Sequence, residues 1–247
     1  IARTVTNANP HVYEPHVALP IYNLANLYKD TQRYSEAEQM YVESLEKYRK
    51  LSKDNPQVYE PYVAVALYNL ANLYYITQRY SEVEQMYEES LEIRRKLAKD
   101  NPEVYEPDVI NSLNSLAFFY NNTNEITKQY EIYNELLLLL KKYYYKCPEQ
   151  YKTVYSTTLV NHSFCCIFMQ EFSKAEQYAR EGIEVDPTQT FIYSNLASSL
   201  LFQGKYNDAE KIYKQYKTEL KDSFLSDFEQ FEEAGIIPSK YKSDVEK

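Results

Sequence analysis

Apolar side chains recur at steps of three and four along most of this chain, and the recurrence itself repeats. Val63, Leu67, Leu70, Ala71, Leu73 and Tyr74 form one stripe, and Val83, Met86, Tyr87, Ser90, Leu91, Ile93 and Leu97 form the next. Such spacing lays one apolar face along each of two helices, A over about 61–77 and B over about 81–99. Pro61 suits a first helical position, and Ser81 with Glu84 three residues on has the pattern of a capping box. The letters Tyr-Asn-Leu-Ala-Asn-Leu-Tyr stand at both 22–28 and 68–74, and residues 9–54 match residues 55–100 at 34 of 46 positions without a gap. A period of that length predicts a solenoid, in which each helix pair buries its apolar face against its neighbours. In the first copy Pro20 stands where Ala66 stands in the second, which predicts a helix A that is kinked or starts late.

The period outlasts the letters. Leu116-Ala117 and Tyr120 fall on Leu70-Ala71 and Tyr74, Tyr133 falls on Tyr87, and a fourth unit follows over 151–169 and 172–185. Phe172-x-x-Ala175 then returns as Tyr206-x-x-Ala209 after 34 residues, so two repeat lengths are mixed. Asp186-Pro187 reads as the cap of the next helix A, Gly204 as its end and 206–220 as the next helix B. Phe224, Leu225, Phe228 and Phe231 before Gly235 mark a short amphipathic helix that would cover the open face of the last repeat. Carried backwards, the period lays Ile1-Ala2-Arg3 on Ile93-Arg94-Arg95, so 1–8 reads as the tail of a preceding repeat in a fragment of a longer protein. The expected organisation is one array: extended repeats at 9–54, 55–100 and 101–146, shorter ones at 147–186 and 187–220, a capping helix at 221–235 and a tail at 236–247.

With 3 Gly against 28 Tyr, the chain lacks the residue that phosphate-binding loops need and is rich in a large amphipathic one. A formal net charge of -9 opposes binding to nucleic acid or anionic membrane surfaces, so the expected partner is a protein or peptide with a basic or neutral surface. The longest purely aliphatic run, 136–140, is far short of a membrane span. Cys147, Cys165 and Cys166 have no metal-ligand spacing, which suits a reducing compartment and a cytoplasmic location. No nucleophile with a base, metal cluster or phosphate loop is legible, so neither enzymatic activity nor a metal or cofactor is expected. His162 reads as a packing residue, and Cys165 and Cys166 as buried thiols.

The last full unit, with Leu196-Ala197, Leu200, Gly204, Tyr206, Ala209 and Tyr213, resembles the tetratricopeptide repeat. The longer units, with Tyr-Asn-Leu-Ala-Asn-Leu-Tyr and Tyr-Ser-Glu-Ala-Glu, resemble the extended repeats of kinesin light chains and their bacterial relatives. The signature Trp is replaced by Ile21, Leu67, Leu113 and Tyr193, and His162-Ser163 stand where Leu-Ala is expected. The resemblance implies an all-α, right-handed superhelical solenoid of about five helix pairs plus a C-terminal capping helix. It also implies an interaction scaffold whose A helices line a concave groove for an extended peptide or partner helix.

On that reading Tyr22, Tyr68 and Tyr75 face the groove. Asn23, Asn69, Ser115, Asn161 and Asn195, each two before a signature alanine position, form a polar ladder that either bonds a peptide backbone or only bridges adjacent helices. Asn26, Asn72, Phe118, Phe164, Phe168 and Phe202 complete the expected lining, polar early and apolar late. The alternative function is a self-associating structural or sensor segment of a larger signalling or effector protein. Its expected contact is a patch at Leu138 and Leu140, which replace Glu92 and Arg94 and would support a weak homodimer.

Overall fold

The computed structural model describes the backbone of residues 10–237 and the side chains of residues 16–237. Most of the two expected tails, 1–8 and 236–247, lies outside the described residues, as does the side chain of His11. Among the described residues the chain is all-α, with eleven helices in series and no strand. They are α1 (Pro10–Asp30), α2 (Tyr34–Asp54), α3 (Pro56–Ile76), α4 (Tyr80–Asp100), α5 (Pro102–Asn122), α6 (Ile126–Lys146), α7 (Pro148–Phe168), α8 (Phe172–Val185), α9 (Ile192–Phe202), α10 (Tyr206–Tyr216) and α11 (Lys221–Glu233). Odd helices up to α9 are the A helices of five successive pairs, even ones the B helices, and α11 is the single helix after the last pair. The chain divides into two compact units, Ile1–Phe119 and Tyr120–Lys247.

Several boundaries differ from expectation, each for a local reason. Helix α3 starts at Pro56, immediately after Asn55, which leaves Pro61 inside the helix. The ring there removes one backbone donor while Pro56 takes the position where a donor is not needed. Helix α1 likewise starts at Pro10 and continues through Pro20 rather than starting late. Helix α4 begins at Tyr80, so Ser81 lies within its first turn and bonds Glu82 instead of closing a capping box. The residue before it is Arg79, whose guanidinium bonds Glu82 at 2.9 Å and Glu38 at 2.7 Å. After α8, Asp186 accepts bonds from the backbone N–H and the hydroxyl of Thr188 and forms a turn, so α9 starts only at Ile192. Helix α10 ends at Tyr216, short of Leu220.

One turn recurs between the helices of each pair. Gln32, Gln78, Asn124 and Gln170, 46 residues apart, and Gly204, 34 further on, all have positive φ. At the second, Gln78 N–H bonds the Tyr75 carbonyl at 3.1 Å and Arg79 N–H bonds that of Tyr74 at 2.8 Å, the two bonds of a Schellman ending. A side chain in that conformation costs about 1–2 kcal/mol, and only the last turn uses glycine. Arg79 and Arg33 each lie 4.2 Å over the ring of the tyrosine, Tyr74 or Tyr28, that closes the preceding helix.

The core is a series of close crossings between small residues. Ala25, Ala71 and Ala117 of the A helices in unit 1 are essentially without solvent exposure, as are Ala37 and Val83 of the B helices. In unit 2 Ser163 and Ala175 repeat the crossing, with the Ser163 hydroxyl donating to the Ala175 carbonyl at 3.0 Å, and Ala197 and Ala209 repeat it again. Gln129 takes the small-residue slot of α6 and is buried, bonded to Tyr133, Asn121 and Cys165. Outside the crossings, Arg49 pairs with Glu89 at 2.6 Å, and 92 residues on Lys141 pairs with Glu181 at 2.7 Å. These exposed B-to-B pairs add little stability.

Gly182 in α8 makes the tightest approach. A Cβ there would stand 2.2 Å from Cδ1 of the fully buried Ile192 and 3.4 Å from Cβ of Leu159. We expect Gly182→Ala to cost about 1–3 kcal/mol by overpacking. Combined with Ile192→Val, which removes the opposing methyl, the loss should be smaller than the sum of the two single losses. Urea unfolding of the four proteins measures this, and strictly additive losses would contradict the contact.

Candidate functional site

Four of the expected groove residues are joined to one another in unit 1, and two more are bonded to the B helix of their own pair. Tyr22 and Asn69 bond at 2.9 Å, with the Asn69 amide also donating to the Val65 carbonyl, and 46 residues later Tyr68 and Ser115 bond at 2.8 Å. Within pairs, Tyr41 donates to Asn26 at 2.5 Å and Tyr87 to Asn72 at 2.6 Å. Successive A helices are thus tied by a tyrosine reaching the polar slot of the next repeat. Asn23 is exposed. Tyr75 lies 5.7 Å from Tyr80 and 5.7 Å from Phe118, an exposed ring.

The late, apolar part of the expected lining is built differently. Phe202 is 4% exposed and belongs to the core, so it is not groove surface. The cause is α11, whose fully buried Phe231 packs 5.6 Å from Phe202, 5.7 Å from Phe164 and 5.4 Å from Phe168. A further A helix would meet only the pair before it, whereas α11 also reaches α7, two A helices back. Asn195 is buried as well, and its amide donates to the Val160 carbonyl at 2.8 Å, bridging α9 to α7. The self-association patch also changes: Leu138 is 75% exposed but Leu140 is fully buried. Arg94, the residue Leu140 replaces, is itself buried, lying 4.6 Å over the Tyr68 ring and bonding Ser112 at 2.7 Å. That slot faces inward in both repeats, and charge at position 94 misled the reading of its face.

His162 is fully buried among Tyr130, Tyr133 and Tyr178, with ring centroids 4.7–5.8 Å away, and its Nε2 contacts Asn134 at 3.1 Å. Burial, helped by Lys174, lowers its pKa to about 4, which fits a neutral packing residue. Burial raises both Cys165 and Cys166 to about 12, so these thiols stay protonated. Among the described residues no group of three or more His, Cys, Asp or Glu is arranged to hold a metal ion, and no helix is long and apolar enough to cross a membrane.

Unit 2 holds a cavity of about 460 Å³ among the A helices and α11. Helix α7 contributes Asn161 and Phe164, α9 contributes Ser194 and Asn195, and Phe191 stands at the entrance, 62% exposed. A third helix, α11, lines it with its polar face, where Asp222, Ser223, Ser226 and Asp227 repeat at one-turn spacing opposite the buried phenylalanines. Ser194 donates a hydrogen bond to Asp227. Burial nevertheless raises the Asp227 carboxyl to about 6, with Ser194 offsetting part of the rise. Three expected site residues, Asn161, Phe164 and Asn195, therefore meet in one place. Asp227, Ser194 and Phe191 were not anticipated, although the i, i+1, i+4, i+5 polar stripe of α11 was legible.

Residues 16–96 match the family model described as tetratricopeptide repeat. The structure resembles that of BtubC (BKLC) from P. vanneervenii, at 18% identity and TM-score 0.55 over 87% of this chain and 84% of that one. It resembles YrrB, described as a TPR protein with an unusual peptide-binding site, at 15% identity and TM-score 0.55 over 89% and 94%. A Podosopora anserina putative kinesin light chain with nearly identical TPR-like repeats is similar at 14% identity and TM-score 0.54 over 81% and 95%. No curated protein compared matches the sequence. The fold is that of tetratricopeptide helix pairs, and residues 16–96 match that repeat family.

Two buried groups pull stability in opposite directions with pH. His162, with a lowered folded pKa, costs stability as pH falls from about 6.5 to about 4, because the unfolded chain binds the proton first. Asp227, with a raised folded pKa, costs stability as pH rises from about 4 to about 6, because the folded chain holds the proton longer. We expect Asp227→Asn to stabilise the protein at pH 7.5 by about 1–2 kcal/mol after allowing for partial exposure, and to make the loss on acidification steeper. Urea midpoints at pH 4.5, 5.5 and 7.5 check both, and an unchanged midpoint at pH 7.5 would refute the burial effect.

Proposed function

We propose that this chain is a protein-interaction scaffold that receives a segment of a partner protein at the A-helix side of unit 2. The observation that carries the reading is the convergence of Asn161, Phe164 and Asn195, from two successive A helices, on one cavity that also has an aromatic ring at its entrance. Amide groups beside aromatic rings suit a peptide, which needs backbone partners and a place for one side chain. YrrB, which shares the fold, is described as having a peptide-binding site, and the present reading gives this chain the same class of ligand at a site of its own. In unit 1 the matching polar residues are joined in pairs, so we assign them to holding successive A helices together. The acidic sequence favours partner segments with basic or neutral surfaces over nucleic acid. Buried protonated Cys165 and Cys166, with a free Cys147, suit a reducing cytoplasm.

Self-association has less behind it. Leu138 shares its helix face with the exposed Tyr145, but Lys141 and Lys142 lie between them and interrupt the apolar area.

Panning a displayed library of random dodecamer peptides on the whole chain tests the proposal. Peptides that bind saturably are expected, and Asn161→Ala should weaken them roughly two- to twelvefold, the effect of one lost hydrogen bond of about 0.5–1.5 kcal/mol. Recovery no better than on bare support, or binding indifferent to Asn161→Ala and Phe164→Ala together, would refute it.

A further inference from the structure

The unit 2 cavity is chemically one-sided. Its walls carry carboxylates, hydroxyls and amides, and no Lys, Arg or His is among them. Two side chains there each keep one oxygen that accepts no hydrogen bond and is open to an incoming donor. The Asn195 amide group spends its N–H on the Val160 carbonyl, while its side-chain oxygen, in a residue only 4% exposed, accepts no hydrogen bond. Asp227 receives one bond, from Ser194, and its second oxygen accepts none. Beside these acceptors stand the rings of Phe164 and Phe191, one half-buried and one largely exposed.

From this we infer that the cavity is a receptor for the side chain of a basic residue, arginine above all, on the bound partner segment. The inference rests on the scaffold reading and gives its ligand a chemical identity. A guanidinium supplies five donors and no acceptor, which complements a site of acceptors. Its planar face lies against an aromatic ring while its edge bonds a carboxylate, a combination that an ammonium matches less well. The volume of about 460 Å³ exceeds that of a single side chain, leaving room for the flanking backbone beside Asn161. Helix α11 is what makes the site: without its polar face, α7 and α9 offer amides and a ring but no charge. Its phenylalanine face occupies the apolar surface that a hydrophobic peptide would otherwise use, so the same helix closes one kind of site and builds another.

The test uses capped tripeptides on the full chain, acetyl-Gly-Arg-Gly-amide against acetyl-Gly-citrulline-Gly-amide, which has nearly the same shape without the charge. Titrations are followed by amide NMR shifts. Saturable shifts at Asn161, Asn195 and Ser226 with the arginine peptide are expected, at least tenfold weaker with citrulline and at least tenfold weaker in Asp227→Asn. The inference is overturned if the two peptides bind alike, if the shifts lie elsewhere, or if Asp227→Asn binds the arginine peptide unchanged. Asp227→Asn is expected to fold at least as stably as the parent, and its own spectrum verifies this. A scaffold whose partners carry no basic anchor would still retain display peptides while giving no arginine response. Failure of this inference is therefore distinguishable from failure of the scaffold reading.

Discussion

Within each unit, helix pairs carry small, unexposed residues in matching slots of their two helices. Ala25 and Ala37, Ala71 and Val83, and Ala197 and Ala209 are all essentially unexposed. Short side chains let backbones approach, and close approach brings the flanking leucines and tyrosines of one helix into contact with the next. Where the pattern lapses, the structure compensates with polar bonds: Ser163 donates to the facing Ala175 carbonyl, and Gln129 is bonded on three sides. Gly182 extends the same logic to α8 and α9, where not even a Cβ is accommodated without displacing Ile192.

That constraint decides what the remaining side chains are free to do. Tyrosines too large for the crossings lie along their margins, and their hydroxyls need partners. In unit 1 Tyr22, Tyr41, Tyr68 and Tyr87 find theirs in the asparagines and the serine of neighbouring helices, so those polar groups are engaged in holding helices together. In unit 2, α7 carries Phe164 in the slot of Asn26 and Asn72 and α8 carries Ala179 in that of Tyr41 and Tyr87, and Phe231 of α11 packs against the apolar surface that results. Its opposite face leaves Asp227 half-buried with one hydroxyl partner, a cost to folding that makes sense if a cation completes the site.

The helix inventory and its period were legible in the sequence because three- and four-residue spacing and a 46-residue self-match are local properties. Boundaries were less so. Pro61 and Ser81 carry good local start signals that lost to the Asn-Pro step at 55–56 and to the positive-φ turn at Gln78, both of which act through neighbouring residues. The site was half legible. Asn161, Phe164 and Asn195 follow from repeat register alone, but Phe202 and Leu140 turned out buried because burial depends on what packs over a residue, which register does not specify. Asp227 lay in a helix recognised only by its apolar stripe, and its polar stripe gained meaning only once α11 was seen to reach back to α7.

The central claim is that recognition belongs to the cavity that α11 completes on α7 and α9, while the asparagine and tyrosine pairs of unit 1 serve the architecture. Hydrogen–deuterium exchange on the whole chain, with and without a saturating display-selected peptide, tests it most directly. The account predicts slowed exchange in 148–168, 192–202 and 221–233, with little change in 16–76. Protection confined to the A helices of unit 1, with α11 unaffected or released, would contradict it.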